Sequence, residues 1–307
     1  MTLVLTRGDL ESVLEPEACL GVLREGFRTA DVVPVAGQRV RTDLPFPGTA
    51  TALIPGLLPG IEAYTVKVNA KFPGAQPALR GVICLHSGQD GELLALLDSA
   101  TVTAWRTGLA AALGTDLLAG PGETVGVIGA GAQAELVVRG LAALRPRSAL
   151  VVHDTSADRA AAFAGRHGGR VLSSPAEVAA AADVVLSATW SREPLLHLAD
   201  ARRGQHFTSL GADEPGKAEL AVDLLEAATV VVDDRELAAT MGALAQGGTA
   251  DATLGEVVRG EHPGRASAES LTVYAPVGLP WQDLALSWLA YRAARREGIG
   301  RRVDLLA

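Results

Sequence analysis

Thr124-Val125-Gly126-Val127-Ile128-Gly129-Ala130-Gly131-Ala132-Gln133-Ala134 decides the fold of this chain. A short apolar run drives into a glycine turn, and from Ala134 the apolar positions Ala134, Val137, Val138, Leu141 and Leu144 recur at helical spacing. In such a strand–turn–helix unit Gly129 permits the tight turn, Gly131 lets backbone approach a pyrophosphate, and Ala134 lets helix and strand pack closely. The amides of the first helical turn then face the phosphates, with the helix dipole behind them. A second apolar run, Ala149-Leu150-Val151-Val152, ends at His153-Asp154. That places a carboxylate where a dinucleotide ribose 2′-OH is read, and such a carboxylate repels a 2′-phosphate. Strand, turn, helix, strand and acid in this order predict dinucleotide binding, with NAD favoured over NADP.

Outward from this unit, the pattern is βαβ repeated. Predicted strands at Val125–Ile128, Leu150–Val152, Val171–Leu172, Val184–Ala188, Phe207–Leu210 and Val230–Val232 are separated in several places by alanine-rich helical segments. Leu271 to Tyr274 reads as a returning strand. The fold class is α/β, a doubly wound parallel sheet of Rossmann type. Upstream lies a mixed unit. It has a helix near Glu15 to Arg28, a Pro/Gly-punctuated stretch to Gly60, and strand-like runs at Ala63–Ala70, Gly81–Leu85 and Glu92–Leu97. A helix over Ser99 to Leu118 follows, with Ser99 as its N-cap, and Ala119-Gly120-Pro121-Gly122 reads as a hinge. After Gly278, Trp281 to Arg296 reads as an amphipathic helix that returns to the first domain. The expected organisation is therefore a discontinuous α+β substrate and dimerisation domain, 1–117 completed by 279–307, around an inserted NAD-binding domain, 118–278.

Composition narrows the class. The 307 residues suit two domains, and 27 basic against 35 acidic residues give a net charge of −8 without long runs of either sign. Nothing in this balance invites nucleic acid. Cys19 and Cys84 supply neither a disulfide framework nor a metal-ligand spacing, and read as small apolar residues of a cytosolic protein. The first residues lack the basic and apolar regions of a signal peptide, and no apolar stretch is long enough to span a membrane. The six histidines show no metal-ligand spacing, and there is no Ser or Cys nucleophile motif.

Three of the 27 basic residues are Lys, namely Lys67, Lys71 and Lys217; the rest are Arg. In so Arg-biased a chain these are places where a compact ammonium serves better than a planar guanidinium; chance is the bland alternative. Lys67 alternates with Thr65 and Asn69, so the three share one strand face. Arg106, on a helix rich in Ala, Leu, Thr and Trp, needs an anion: a ligand, or an internal acid such as Asp98. With Arg41, these form the candidate anion-binding set. Ligands of open α/β sheets bind outside the carboxyl ends of the strands. Ser187-Ala188-Thr189-Trp190 and Gly211-Ala212-Asp213-Glu214-Pro215-Gly216-Lys217 fall there. Asp213 is then either a carboxylate at the cofactor cleft, with Lys217 one turn away, or a helix cap beside a solvated lysine.

Several runs together resemble the ornithine cyclodeaminase/mu-crystallin family. They are Tyr64-Thr65-Val66-Lys67-Val68, Phe72-Pro73-Gly74, Leu96-Leu97-Asp98-Ser99 and Thr103-Ala104-Trp105-Arg106-Thr107-Gly108. Gly129–Ala134, Gly211–Lys217, Val277-Gly278 and Gln282-Asp283 continue the collinear set over roughly residues 39–290. The resemblance implies a homodimer and NAD(P)-linked redox chemistry at an amino-acid C–N bond. It implies Arg41, Lys67, Arg106 and Lys217 as the substrate site, with Asp213 and Lys67 catalytic. Cofactor contacts would come from Arg106, Thr107, Gly129, Ala130, Gly131, Ala132, Gln133, Asp154, Thr189, Val277 and Gly278. Two departures stand out. Ornithine-cyclising members carry an acid three positions before the proline that is Pro55 here, where this chain has Ala52; where many members have Thr, it has Gly81. The leading expectation is an amino-acid or imino-acid oxidoreductase. A cyclodeaminase releasing ammonia and a non-catalytic nucleotide-dependent binding protein are the alternatives.

Overall fold

A computed structural model describes the chain except for residues 31–39, 47–48, 73–78, 147–148 and 306, and the side chains of Arg41, Ala50 and Lys71. The described chain divides into two compact units, 1–106 with 279–307, and 107–278. The elements of the first unit are β1 (Thr2–Leu5), α1 (Arg7–Val13), α2 (Pro16–Thr29), β2 (Val40–Asp43), β3 (Ala50–Gly56), β4 (Ala63–Lys71), β5 (Leu79–Ser87) and β6 (Leu93–Asp98). The helix α3 (Ser99–Leu118) contains the division. The second unit continues with β7 (Thr124–Ile128), α4 (Ala132–Leu144), β8 (Ala149–His153), α5 (Ala157–His167), β9 (Arg170–Val171), α6 (Pro175–Ala181), β10 (Val184–Ser187) and β11 (His206–Ser209). It ends with α7 (Val222–Ala227), β12 (Thr229–Val232), α8 (Arg235–Met241), β13 (Ala252–Thr253), α9 (Leu254–Arg259) and β14 (Thr272–Tyr274), before α10 (Pro280–Glu297) and β15 (Arg301–Val303) complete the first.

The second unit is a parallel sheet in the order β13-β12-β14-β11-β10-β7-β8-β9. Alternate residues feed opposite cores. Val125, Val127, Leu150, Val152, Val184 and Leu186 enter one cluster, whereas Ile128, Val151 and Val185 enter the other. Burial on both faces explains why these strands read as continuous apolar runs. Strand order reverses between β7 and β10, and the glycine turn follows β7 there. Gly129 has φ +91°, and a Cβ on it would lie 2.6 Å from the Ala188 carbonyl oxygen. No L side chain fits that crossing.

In the first unit a seven-stranded sheet runs β15-β1-β6-β5-β4-β3-β2, with β1 parallel to β6 and the other pairs antiparallel. The stretch read as punctuated loop contains β3. Its Pro55 pairs with Val66 on β4 and lies past the end of the β2 pairing, so among the described residues its missing N–H is asked for on one side only. Cross-strand register aligns Arg41, Ala52, Asn69 and Gly81 in one row, and Ile54, Lys67, Ile83 and Leu97 in the next row on the same face. A Cβ on Gly81 would press against the Val68 carbonyl oxygen on the neighbouring strand. Val40, Leu53, Val68 and Val82 form a row on the opposite face, and the first three are exposed.

The compact units divide at Arg106, within α3, and Ala111 and Ala112 in the second half of that helix belong to the core containing Val125, Val127 and Val137. Two expectations need correction. Ser99 is the first helical residue and not the cap: Asp98 accepts the Thr101 N–H at 2.9 Å and its hydroxyl at 2.6 Å. The helix α10 is amphipathic only in its later turns. From Pro280 to Ser287 every residue is buried, where the helix packs against α2 and the strands β3 to β5.

Candidate active site

In the first unit, Lys67 projects from β4 and Arg106 from α3, at 1% and 7% exposure, and both converge on Asp283 in the first turn of α10. Lys67 Nζ lies 2.5 Å from Asp283 Oδ2 and 3.5 Å from the Thr103 hydroxyl. Arg106 Nε approaches Asp283 Oδ1 at 3.4 Å, and an Arg106 η-nitrogen donates to Gln282 Oε1 at 3.3 Å. Arg106 thus does have an internal acid, but it is Asp283; Asp98 is spent on capping α3.

This buried trio carries two positive charges and one negative. Hydrogen-bonding positions around it are also unused. The Arg106–Asp283 approach lacks hydrogen-bond alignment, and Thr65 Oγ1, Asn69 Oδ1, Gln282 Nε2 and Asp283 Oδ1 are buried without a hydrogen-bond partner. Unpaired buried polar atoms cost about 1–3 kcal/mol each, so such a group is stable only at a site that something polar completes. Among the described residues two buried cations share one carboxylate, and the open donors Arg106 Nε and Gln282 Nε2 fit a further carboxylate. Arg41 sits on β2 in the Asn69 row, with its side chain outside the described residues.

In the second unit, the turn after β7 delivers Gly131 as the N-cap position of α4 with no side-chain cap, and a Cβ on Gly131 would meet nothing within 4 Å. Ala132 is exposed and Ala134 buried. Uncapped helical amides above an open approach fit a pyrophosphate. Gln133, half-buried beside them, has a buried Oε1 without a hydrogen-bond partner. Asp154 follows β8. Its Oδ2 accepts the Ala130 N–H at 2.9 Å and its Oδ1 the Ser156 N–H at 2.7 Å, while Arg159 pairs with it at 2.7 Å. Burial alone would raise its pKa; the bonds from Arg159, Ser156 and Ala130 prevail and hold the carboxyl below its ordinary value. A charged acceptor at the end of β8 fits a ribose diol.

Asp213 and Lys217 meet. Lys217 Nζ lies 2.6 Å from Asp213 Oδ1, 3.8 Å from Glu214 and 4.8 Å from the Trp190 ring centroid. The Lys217 side chain is 9% exposed and that of Asp213 45% exposed. The helix-cap alternative fails, because no helix begins at Asp213 and the lysine is not solvated. Thr189, Val277 and Gly278 are more committed than the sequence suggested. The Thr189 N–H and hydroxyl both go to Glu219, and the Val277 and Gly278 amides both go to buried Asp233. Thr107, on α3, begins the second unit.

Sequence reasoning missed three acids, Asp283, Glu219 and Asp233, as members of these clusters. Their signal is a carboxylate next to apolar residues of a buried segment: Asp283 before Leu284, Glu219 between Ala218 and Leu220, and Asp233 directly after Val232. Such acids are buried only with partners. Among the described residues no group of three or more His, Cys, Asp or Glu is arranged to hold a metal ion, and no helix is long and apolar enough to cross a membrane.

A family model, the ornithine cyclodeaminase/mu-crystallin family, matches residues 1–298. The chain belongs to this family. An alanine dehydrogenase of Archaeoglobus fulgidus is 31% identical over 318 residues, covering 98% of each chain. Among solved structures, an archaeal alanine dehydrogenase dimer with bound NAD superposes with a TM-score of 0.90 at 28% identity, over 99% of each chain. The Δ1-pyrroline-2-carboxylate reductase of Thermococcus litoralis, in complex with NADH and L-proline, superposes with a TM-score of 0.92 at 26% identity, over 98% of this chain and 100% of that one.

Proposed function

We propose that this family member is an NAD-dependent oxidoreductase acting on the C–N bond of an amino acid or a cyclic imino acid. The carrying observation is the buried trio of Lys67, Arg106 and Asp283, beside which Arg106 Nε and Gln282 Nε2 are buried donors without a hydrogen-bond partner. Family membership and the NAD- and NADH-bound relatives support the cofactor and the reaction class.

In this reading Lys67 and Arg106, with Arg41, hold the substrate carboxylate and draw electron density from the adjoining C=N. Asp283 keeps the two buried cations in place while the site is open. Bound NAD(H) supplies or takes up the hydride at the α-carbon. Asp213 gives a proton to the nitrogen in the reductive direction and takes it in the oxidative one, with Lys217 orienting its carboxylate. Gly129 to Gln133 cradle the pyrophosphate and Asp154 reads the ribose; Thr107, Thr189, Val277 and Gly278 line the remaining cofactor surface. The exposed row Val40, Leu53 and Val68 is an apolar sheet face suited to a second copy of the chain. In this reading the protein is a cytoplasmic homodimer, and the dimer of an archaeal relative supports the assembly.

The distinction from cyclodeamination rests on Ala52. It shares a row with Arg41, Asn69 and Gly81, none of which offers a carboxylate for a distal ammonium. Burying that ammonium unpaired is costly. The test is NADH absorbance over a panel of Δ1-pyrroline-2-carboxylate, pyruvate with ammonia, L-alanine and L-ornithine. Turnover of an imine or an α-amino acid, with weak or absent ornithine conversion, is the expected result. Robust proline formation from ornithine with stoichiometric ammonia release overturns it in favour of a cyclodeaminase, and nucleotide binding without turnover in favour of a binding protein.

A further inference from the structure

Glu219 is 1% exposed, lies on no helix or strand, and accepts five hydrogen bonds from the carboxyl ends of two neighbouring strands. Oε1 accepts the Thr189 N–H at 2.6 Å and the Thr189 hydroxyl at 2.7 Å, just beyond β10. Oε2 accepts the Gly211 N–H at 2.7 Å, just beyond β11, with the Ser209 and Ser187 hydroxyls at 2.8 and 3.1 Å. The glutamate backbone is itself fixed: its carbonyl accepts the Leu195 N–H at 2.8 Å, and the preceding Ala218 N–H donates to Ser191 at 3.1 Å.

Two arms leave from these anchored points. One carries Trp190, directly after Thr189, and the other carries Asp213, two residues after Gly211. Lys217 joins the arms, through its ion pair with Asp213 and its position over the Trp190 ring. Trp190 is 62% exposed and the Asp213 side chain is half-open, and the Ala218–Ser191 backbone bond also ties the two arms together.

We infer that Glu219 is the positioning residue of the Asp213 site, fixing the roots of both arms and thereby where Asp213 presents its carboxylate. This rests on the reading of Asp213 as the proton-exchanging group. The chemistry demands a carboxylate. Each oxygen takes one backbone N–H, and a backbone N–H cannot turn round to accept. A glutamine amide has one accepting end, so in either orientation its NH2 group opposes the amide of Thr189 or of Gly211.

Glu219→Gln tests this by two readouts. The first is steady-state kinetics on the best substrate of the panel, where kcat falls about 10²-fold, the cost of a small misplacement of a catalytic group, and the KM for the carboxylate substrate stays within a few-fold. The second needs no turnover: acrylamide quenching of Trp190 emission, obtained by difference against Trp190→Phe, rises when the arm loosens. An unchanged kcat with unchanged quenching in the folded variant overturns the inference. If the unsubstituted chain turns over no substrate, the functional reading fails and the quenching arm alone decides. If Glu219→Gln does not fold, the double variant Ser187→Ala/Ser209→Ala removes two of the three donors on Oε2 and carries the test: kcat falls and quenching rises, and unchanged values in that folded variant overturn the inference.

Discussion

The Lys67–Arg106–Asp283 cluster and the Glu219 hub are both buried and charged, yet they are satisfied to opposite degrees. Glu219 receives a donor at every direction its carboxylate offers along two loop roots. Around Asp283, by contrast, Gln282 Nε2, Asn69 Oδ1 and Asp283 Oδ1 have no hydrogen-bond partner. A saturated buried charge holds backbone in place. A cluster that leaves buried donors and acceptors unpartnered is what the proposed carboxylate site requires. The difference separates scaffold from site more sharply than burial does, since both are almost fully enclosed.

The largest effect that could break this contrast is at the tip of the arm that Glu219 holds. Asp213→Asn is nearly isosteric and leaves the hub intact, so folding and NADH affinity should persist while the chemical step falls about 10²–10⁴-fold. The pH–rate profile should also lose one limb. Activity within a few-fold of the unsubstituted chain, with an unchanged profile, would return Asp213 to a structural role.

Next comes Asp283→Ala, which leaves Lys67 and Arg106 buried beside each other without their shared carboxylate. Removing one partner from a buried pair costs about 3–5 kcal/mol, read as a lower urea midpoint. If the proposed carboxylate site lies here, a saturating carboxylate ligand such as L-proline should recover part of the loss. Recovery by sodium chloride to the same extent would mean that the cluster is not shaped for a carboxylate.

A saturated network of a different kind surrounds His206. Its two ring nitrogens meet the Thr272 and Thr208 hydroxyls at 2.8 and 2.9 Å, and Arg265 donates to Thr272. Burial, then the charges of Arg265 and Arg145, lower its pKa from 6.5 to about 3. Between these values the unfolded chain takes up a proton that the folded chain refuses. Its contribution is therefore complete above pH 6.5 and is lost as pH falls towards about 3. Urea midpoints between pH 7 and 4 should fall more steeply for the unsubstituted chain than for His206→Gln. Parallel slopes would show that the ring is protonated in the fold.

The smallest effect concerns Asp154, whose charge is shared with Arg159. NADH should bind several-fold more tightly than NADPH, and Asp154→Ser should narrow the gap by freeing the guanidinium for a 2′-phosphate. Titrations showing NADPH preferred before the substitution would place Arg159, not Asp154, in control of the ribose end.

Much of this molecule is decided by local chemistry. Gly129 must be glycine because the chain turns at φ +91° against the Ala188 carbonyl, and such a turn is visible in sequence. The parallel strands announce themselves as unbroken apolar runs because both of their faces are covered. Lys67, on a strand with Thr65 and Asn69, declares an inward polar face by alternation alone. What sequence could not decide is which charges meet. Lys67 and Asp283 are 216 positions apart, and the choice of Asp283 over Asp98 as partner for Arg106 depends on α10 returning beside β4. Likewise β3 was hidden by Pro55, which among the described residues lies past the β2 pairing. The place of Glu219 appears only where β10 and β11 bring Thr189 and Gly211 to its two oxygens. Glycine turns and burial periodicity are set by each residue's own conformational and solvation preferences. The pairing of buried charges is set by long-range packing, and so appears only when the chain is folded.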